Sequence, residues 1–86
     1  MTIVHATTFS KEALDKVEAA AKAATAVEGV VGYRILGGQD TVTLLLEVAD
    51  HATFDRIAEH AEARKASEAL WETDPPKSHE FLHVLS

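Results

Sequence analysis

The sequence predicts an α+β domain with the element order β-α-β-β-α-β. Three observations carry that reading. Residues 29–48, GVVGYRILGGQDTVTLLLEV, alternate as two strands around a Gly37-Gly38-Gln39-Asp40 turn. A long helical pattern flanks this hairpin on either side. A short strand-like segment then closes each end of the chain.

Taken in order, Thr2–Phe9 is rich in β-branched residues and reads as the first strand. Ile3, His5, Thr7 and Phe9 share one face; Val4, Ala6 and Thr8 share the other. Ser10 fits a helix N-cap, and Glu12 adds negative charge at the positive end of the helix dipole. Leu14, Val17, Ala21, Ala24 and Val27 recur at helical spacing and mark one buried face. Glu28-Gly29 ends this helix, with Gly29 free to take positive φ.

Val30–Leu36 is the second strand and Thr41–Val48 the third. Val42, Leu44, Leu46 and Val48 make one wholly apolar face; Thr41, Thr43, Leu45 and Glu47 make a mixed one. Arg34 alternates with Tyr33, and a cross-hairpin pair with Glu47 is expected. Asp50 caps a second helix that runs to Glu72 or Thr73. Its stripe of Phe54, Ile57, Ala58 and Ala61 slips before resuming at Ala66, Ala69 and Leu70, which predicts a bend near Ala63–Lys65. Asp74-Pro75-Pro76 stops the helix, because proline lacks the amide donor and its ring clashes with the preceding turn. His79–Leu85 is the last strand, with Phe81, His83 and Leu85 on one face and Leu82 and Val84 on the other.

This order is the split βαβ arrangement of ferredoxin-like domains, spanning residues 1–86 as one domain. Right-handed crossovers give an antiparallel sheet of order 4-1-3-2 with both helices on one face. The other face has nothing from the chain to cover it, yet it carries apolar residues. An exposed apolar face of more than a few hundred Å² is rare on a soluble monomer. The expected solution is a homodimer in which two sheets pack face to face.

Composition narrows the function. Lys+Arg is 8 against Asp+Glu 14, a net charge of −6, which argues against nucleic acid or an anionic membrane as partner. The chain has no cysteine, so disulfides and thiolate metal sites are excluded. MTIVHATTF lacks the basic start and apolar core of a signal peptide, and no run approaches the roughly 20 apolar residues needed to span a bilayer. A cytoplasmic location is expected. The many alanines fit helices that pack closely. The histidine spacings match no metal motif, since His51 and His60 do not share a helical face and His79 and His83 are too far apart along a strand.

His5 and His83 are the candidate chemical groups. Each sits among apolar residues on strands expected to be adjacent. Burial favours the neutral imidazole, which suits a general base toward a phenol or an enol. The alternative is a core or interface histidine satisfied by a hydrogen bond. Tyr33 is a candidate to line a pocket and hydrogen-bond a substrate, or else an interface aromatic. Trp71 either caps the mouth of a helix–sheet cavity or plugs one end of the core.

Three segments carry a family resemblance. Residues 28–35, Glu28-Gly29-Val30-Val31-Gly32-Tyr33-Arg34-Ile35, the helix start Asp50-His51-Ala52-Thr53-Phe54 and the closing Glu80-Phe81-Leu82-His83-Val84-Leu85 resemble the antibiotic-biosynthesis-monooxygenase-like proteins of the dimeric α+β barrel superfamily. The resemblance implies a homodimer that binds a hydrophobic, aromatic or polyketide-like small molecule between sheet and helices. It also implies oxygenation without a cofactor, with a cyclase or isomerase, or a non-catalytic ligand-binding dimer, as alternatives. Thr7 stands where haem-degrading relatives have a first-strand asparagine, and so joins the expected substrate-binding residues. Ala58 and Ser67–Ala69 fall near the places of those relatives' helical tryptophan and histidine, which disfavours haem degradation. Val48 stands where many relatives have a tryptophan.

Overall fold

The computed structural model describes residues 2–85. The elements are β1 (Ile3–Ser10), α1 (Leu14–Ala24), β2 (Val30–Gly37), β3 (Thr41–Val48), α2 (Ala52–Glu59), α3 (Ala61–Thr73) and β4 (Ser78–His83). The strands form one antiparallel sheet of order β2-β3-β1-β4, the expected 4-1-3-2 read from the other edge. This is the ferredoxin-like α+β fold.

The strand faces follow the predicted alternation. Ile3, Thr7 and Phe9 of β1 and Val42, Leu44, Leu46 and Val48 of β3 are buried beneath the helices. In register, Ile3 lies beside Val48, His5 beside Leu46, Thr7 beside Leu44 and Phe9 beside Val42. The core forms two packed groups. Phe9, Val17, Ala21, Val42 and Leu70 belong to one; Ile3, Ala24, Leu46 and Val48 belong to the other, with Phe54 and Ile57 against it.

Several local expectations need correction. Ser10 precedes a single 3₁₀ turn, Lys11–Ala13, but its side chain does not cap it. Its hydroxyl and amide instead donate to Asp74 Oδ2, at 2.8 and 3.1 Å. The α1 helix stops at Ala24, short of the predicted Glu28, and the chain turns through Thr25–Glu28 to Gly29 at φ +102°. Arg34 pairs in register with Leu45, whereas Glu47 faces Gly32, so the expected Arg34–Glu47 pair does not form. A shift in register between Val30 and Gly32 makes Val31 an extra residue, which puts Tyr33 beside Leu46 and Ile35 beside Leu44 on the helix face, and leaves Arg34 and Glu47 as diagonal neighbours on the other.

The second helix breaks at His60 rather than near Ala63–Lys65. His60 has extended backbone (ψ 118°) and begins α3 as its cap, with Nδ1 accepting the amide of Ala63 at 3.2 Å. The imidazole takes the part of an N-cap oxygen, which the apolar stripe could not reveal. Asp50 caps as expected, accepting the amide and the hydroxyl of Thr53 at 3.0 and 2.8 Å. No helix among the described residues is long and apolar enough to cross a membrane.

Candidate functional site

Between the sheet and the helices lies a cavity of about 290 Å³. It draws its walls from both core groups, with Phe9, Leu44 and Leu70 from one and Ala24, Leu46, Phe54 and Ile57 from or against the other. The space has a sequence cause. The α1 residues facing it are Ala20, Ala21 and Ala24, which end at Cβ and leave room between helix and sheet. The alanines thus shape the site as well as the helix packing. The break at His60 gives a second cause, since α2 and α3 each contribute a separate stretch of wall.

Polar groups sit at two places on this apolar surface. On the sheet, His5 and Thr7 project side by side, with Nε2 and Oγ1 3.4 Å apart. Thr7 is buried and His5 half-buried. Burial, and then the nearby His79 imidazole, push the His5 pKa below its ordinary value, so the neutral ring is favoured. On α3, Arg64, Ser67, Glu68 and Trp71 line the cavity. Arg64 Nε lies 3.9 Å from Glu68 with both side chains well exposed, and Trp71 is 45% exposed. These residues form the solvent side of the cavity.

The expected site residues separate into two groups. His5, Thr7 and Trp71 meet at the cavity. His83 and Tyr33 do not line it. His83 shares the helix-side face with His5, but it sits across from Ile3 on the edge strand and approaches His51, ring centroids 6.4 Å apart. Tyr33 lies on the opposite edge strand, against Asp15, Glu18 and Lys22 of α1. Both assignments assumed that the correct sheet face suffices. In a sheet covered by only part of its width, outer-strand residues on that face still miss the cavity.

Other residues at the site escaped the sequence reading. Arg64, Ser67 or Glu68, and Trp71 recur at helical spacing, a polar stripe ending in the lone tryptophan, and that signal was available. Phe81 stacks on His5 with centroids 4.5 Å apart and planes 13° apart, while Phe54 meets the same imidazole edge-on at 5.6 Å. The stacking required knowledge of the β1–β4 register, in which His5 lies beside Phe81. Among the described residues, no three His, Asp or Glu side chains are grouped to hold a metal ion.

An apolar cavity with one neutral imidazole and an adjacent hydroxyl can bind a hydrophobic ring and accept a proton from it. Neither a protein-family model nor a curated protein matches the chain. Solved structures do. SnoaB, a cofactor-independent oxygenase from Streptomyces nogalater, superposes with TM-score 0.82 at 14% identity, over 99% of this chain and 94% of that one. A possible oxidoreductase from Bacteroides thetaiotaomicron gives TM-score 0.80 at 10% identity, over 96% and 97%. A Mycobacterium tuberculosis protein gives 0.79 at 14% identity, over 100% and 97%. At such identities the likeness is one of fold, and the chain has the fold of SnoaB-like cofactor-independent oxygenases that the resemblance implied.

Proposed function

We propose that the chain is a small-molecule oxygenase that needs no cofactor and acts on a hydrophobic aromatic or polyketide-like substrate in the sheet–helix cavity. The observation that carries this reading is the position of His5, a half-buried imidazole with lowered pKa facing an otherwise apolar space. The cavity volume is at the lower end of the roughly 300–1,000 Å³ of ligand pockets, which suits a compact ring system.

In this reading His5 removes a proton from a phenol or from a carbon next to a carbonyl. Thr7 lies beside the ring nitrogen, where its hydroxyl holds the imidazole or the substrate oxygen. Trp71 covers the solvent side. The delocalised carbanion gives electrons to dioxygen, and the resulting hydroperoxide loses water to leave a carbonyl. A CH₂ group and O₂ thus become C=O and H₂O, with substrate as the only reductant. The open sheet face is the proposed homodimer surface.

The test is oxygen uptake with an anthrone, whose activated CH₂ group is the carbon that becomes C=O. Wild type is expected to consume oxygen with one carbonyl product per O₂, and His5→Ala to lose on the order of a hundredfold in kcat. Equal uptake by wild type and His5→Ala would overturn the assignment. Turnover without oxygen would point instead to a cyclase or isomerase using the same base.

A further inference from the structure

We infer that β4 supplies two positioning residues for His5, with Phe81 fixing the plane of the imidazole and His79 setting the charge at its edge. The inference rests on reading His5 as the base.

The geometry is a consequence of register. In the β1–β4 ladder His5 lies beside Phe81 and Thr7 beside His79, so both β4 side chains stand on the helix side. Phe81 stacks on one face of the imidazole at 4.5 Å. Phe54 then packs edge-on against both rings, at 5.6 Å from His5 and 5.3 Å from Phe81. Such a three-ring arrangement restricts rotation about the terminal torsion of histidine, which is otherwise broad. With the plane held, Nε2 stays beside Thr7 at the cavity. His79 meets His5 edge-on at 5.6 Å, and it is exposed, so a charge on it is reached from solvent.

Few other charges face His5. From α3, Arg64 and Glu68 line the same cavity. From β3 the neighbours are Leu44 and Leu46, and from α2 they are Phe54 and Ile57. His51 contacts Phe54 and Phe81, and His83 contacts His51. Arg64 and Glu68 carry opposite charges 3.9 Å apart and offset each other. His79 is therefore the uncompensated neighbour. Protonated, it repels a second proton from His5, in line with the direction in which His5 is displaced.

The experiment is an NMR titration of the intact protein, with the His5 ring protons as probe. Phe81 stacking predicts an upfield ring-current displacement of those protons. Phe81→Leu removes it and lowers kcat on the order of tenfold, whereas Phe81→Tyr restores both. In His79→Gln the repulsion is gone and His5 titrates at higher pH than in wild type; in His79→Glu it titrates higher still. Unchanged His5 shifts in Phe81→Leu, or one titration midpoint in all three His79 backgrounds, would overturn the inference. The ring-proton shifts and titration midpoints do not depend on turnover, so a failed oxygen assay and failed positioning are told apart. Phe81 and His79 are exposed on an edge strand, and amide spectra confirm that each variant folds.

Discussion

Asp74 accepts two hydrogen bonds from Ser10, one from the amide at 3.1 Å and one from the hydroxyl at 2.8 Å. This ties the end of α3 to the end of β1 across most of the chain. The helix it anchors carries Arg64, Ser67, Glu68 and Trp71, the solvent side of the cavity. Asp74→Ala leaves a partly buried amide and hydroxyl without their acceptor. The expected cost is about 1–3 kcal/mol in urea unfolding, the usual penalty for buried polar groups left without a partner. Trp71 lies one turn before the anchor, so its fluorescence should shift to the red in the folded variant. An unshifted spectrum with unchanged stability would mean that the Pro75-Pro76 stop alone holds the helix end.

The pH dependence has a definite sign. The folded pKa of His5 lies below its ordinary 6.5. Between the two values the unfolded chain binds a proton that the folded chain does not. This group therefore contributes nothing to the pH dependence well above 6.5. It destabilises the fold progressively as pH falls through 6.5, and the loss is complete below the folded pKa. The difference in unfolding free energy between wild type and His5→Asn should thus shift against wild type from about pH 7.5 to about pH 5. Turnover should show an acid limb with its midpoint below the ordinary histidine value, since only neutral His5 accepts a proton. A midpoint above that value would assign the limb to another group.

The cavity exists because α1 offers alanines to the sheet, and it can be filled from that side. Ala24 is buried on the cavity wall. Adding side-chain volume in a packed core costs about 1–3 kcal/mol, but here the added methyls enter empty space. Ala24→Leu should therefore change stability by less than about 1 kcal/mol while weakening binding of an anthrone-type ligand at least about tenfold. Calorimetry or Trp71 quenching reads the second effect. Undiminished affinity would place the ligand outside this cavity.

The fold was readable because its signals are local. The alternation of Val42, Leu44, Leu46 and Val48, the Asp50 cap and the Asp74-Pro75-Pro76 stop each act within a few residues. The site was readable only in part. His5 was found because an imidazole among apolar strand residues stands out, and Thr7 only through the family resemblance. Phe81 and His79 depend on how β1 and β4 slide past each other, and that register has no local signature. Val31 shows the same limit. One extra residue sets which way every later side chain of β2 points, with Tyr33 beside Leu46 and Arg34 beside Leu45, and nothing in the alternation of the strand marks it. His60 was missed because a histidine rarely caps a helix, so its side chain gave no stop signal.

The uncovered sheet face makes the proposed dimer testable. Val4, Leu45 and Leu82 stand on that side, where Val4 lies beside Leu82 and Glu47, and Ala6 beside Leu45 and Glu80. Leu82 is 43% exposed, and Val4 and Leu45 are only partly covered by their neighbours. Burying this centre against a second copy removes apolar area from water at roughly 25 cal/mol per Å². In Leu45→Arg a two-fold axis brings cations into an apolar contact, an unpaired burial that costs several kcal/mol. Wild type should sediment at twice the chain mass, and Leu45→Arg as a folded monomer whose stability no longer depends on concentration. A wild type that sediments as a monomer at all concentrations would remove this interface from the proposal while leaving the cavity, which is built within one chain, untouched.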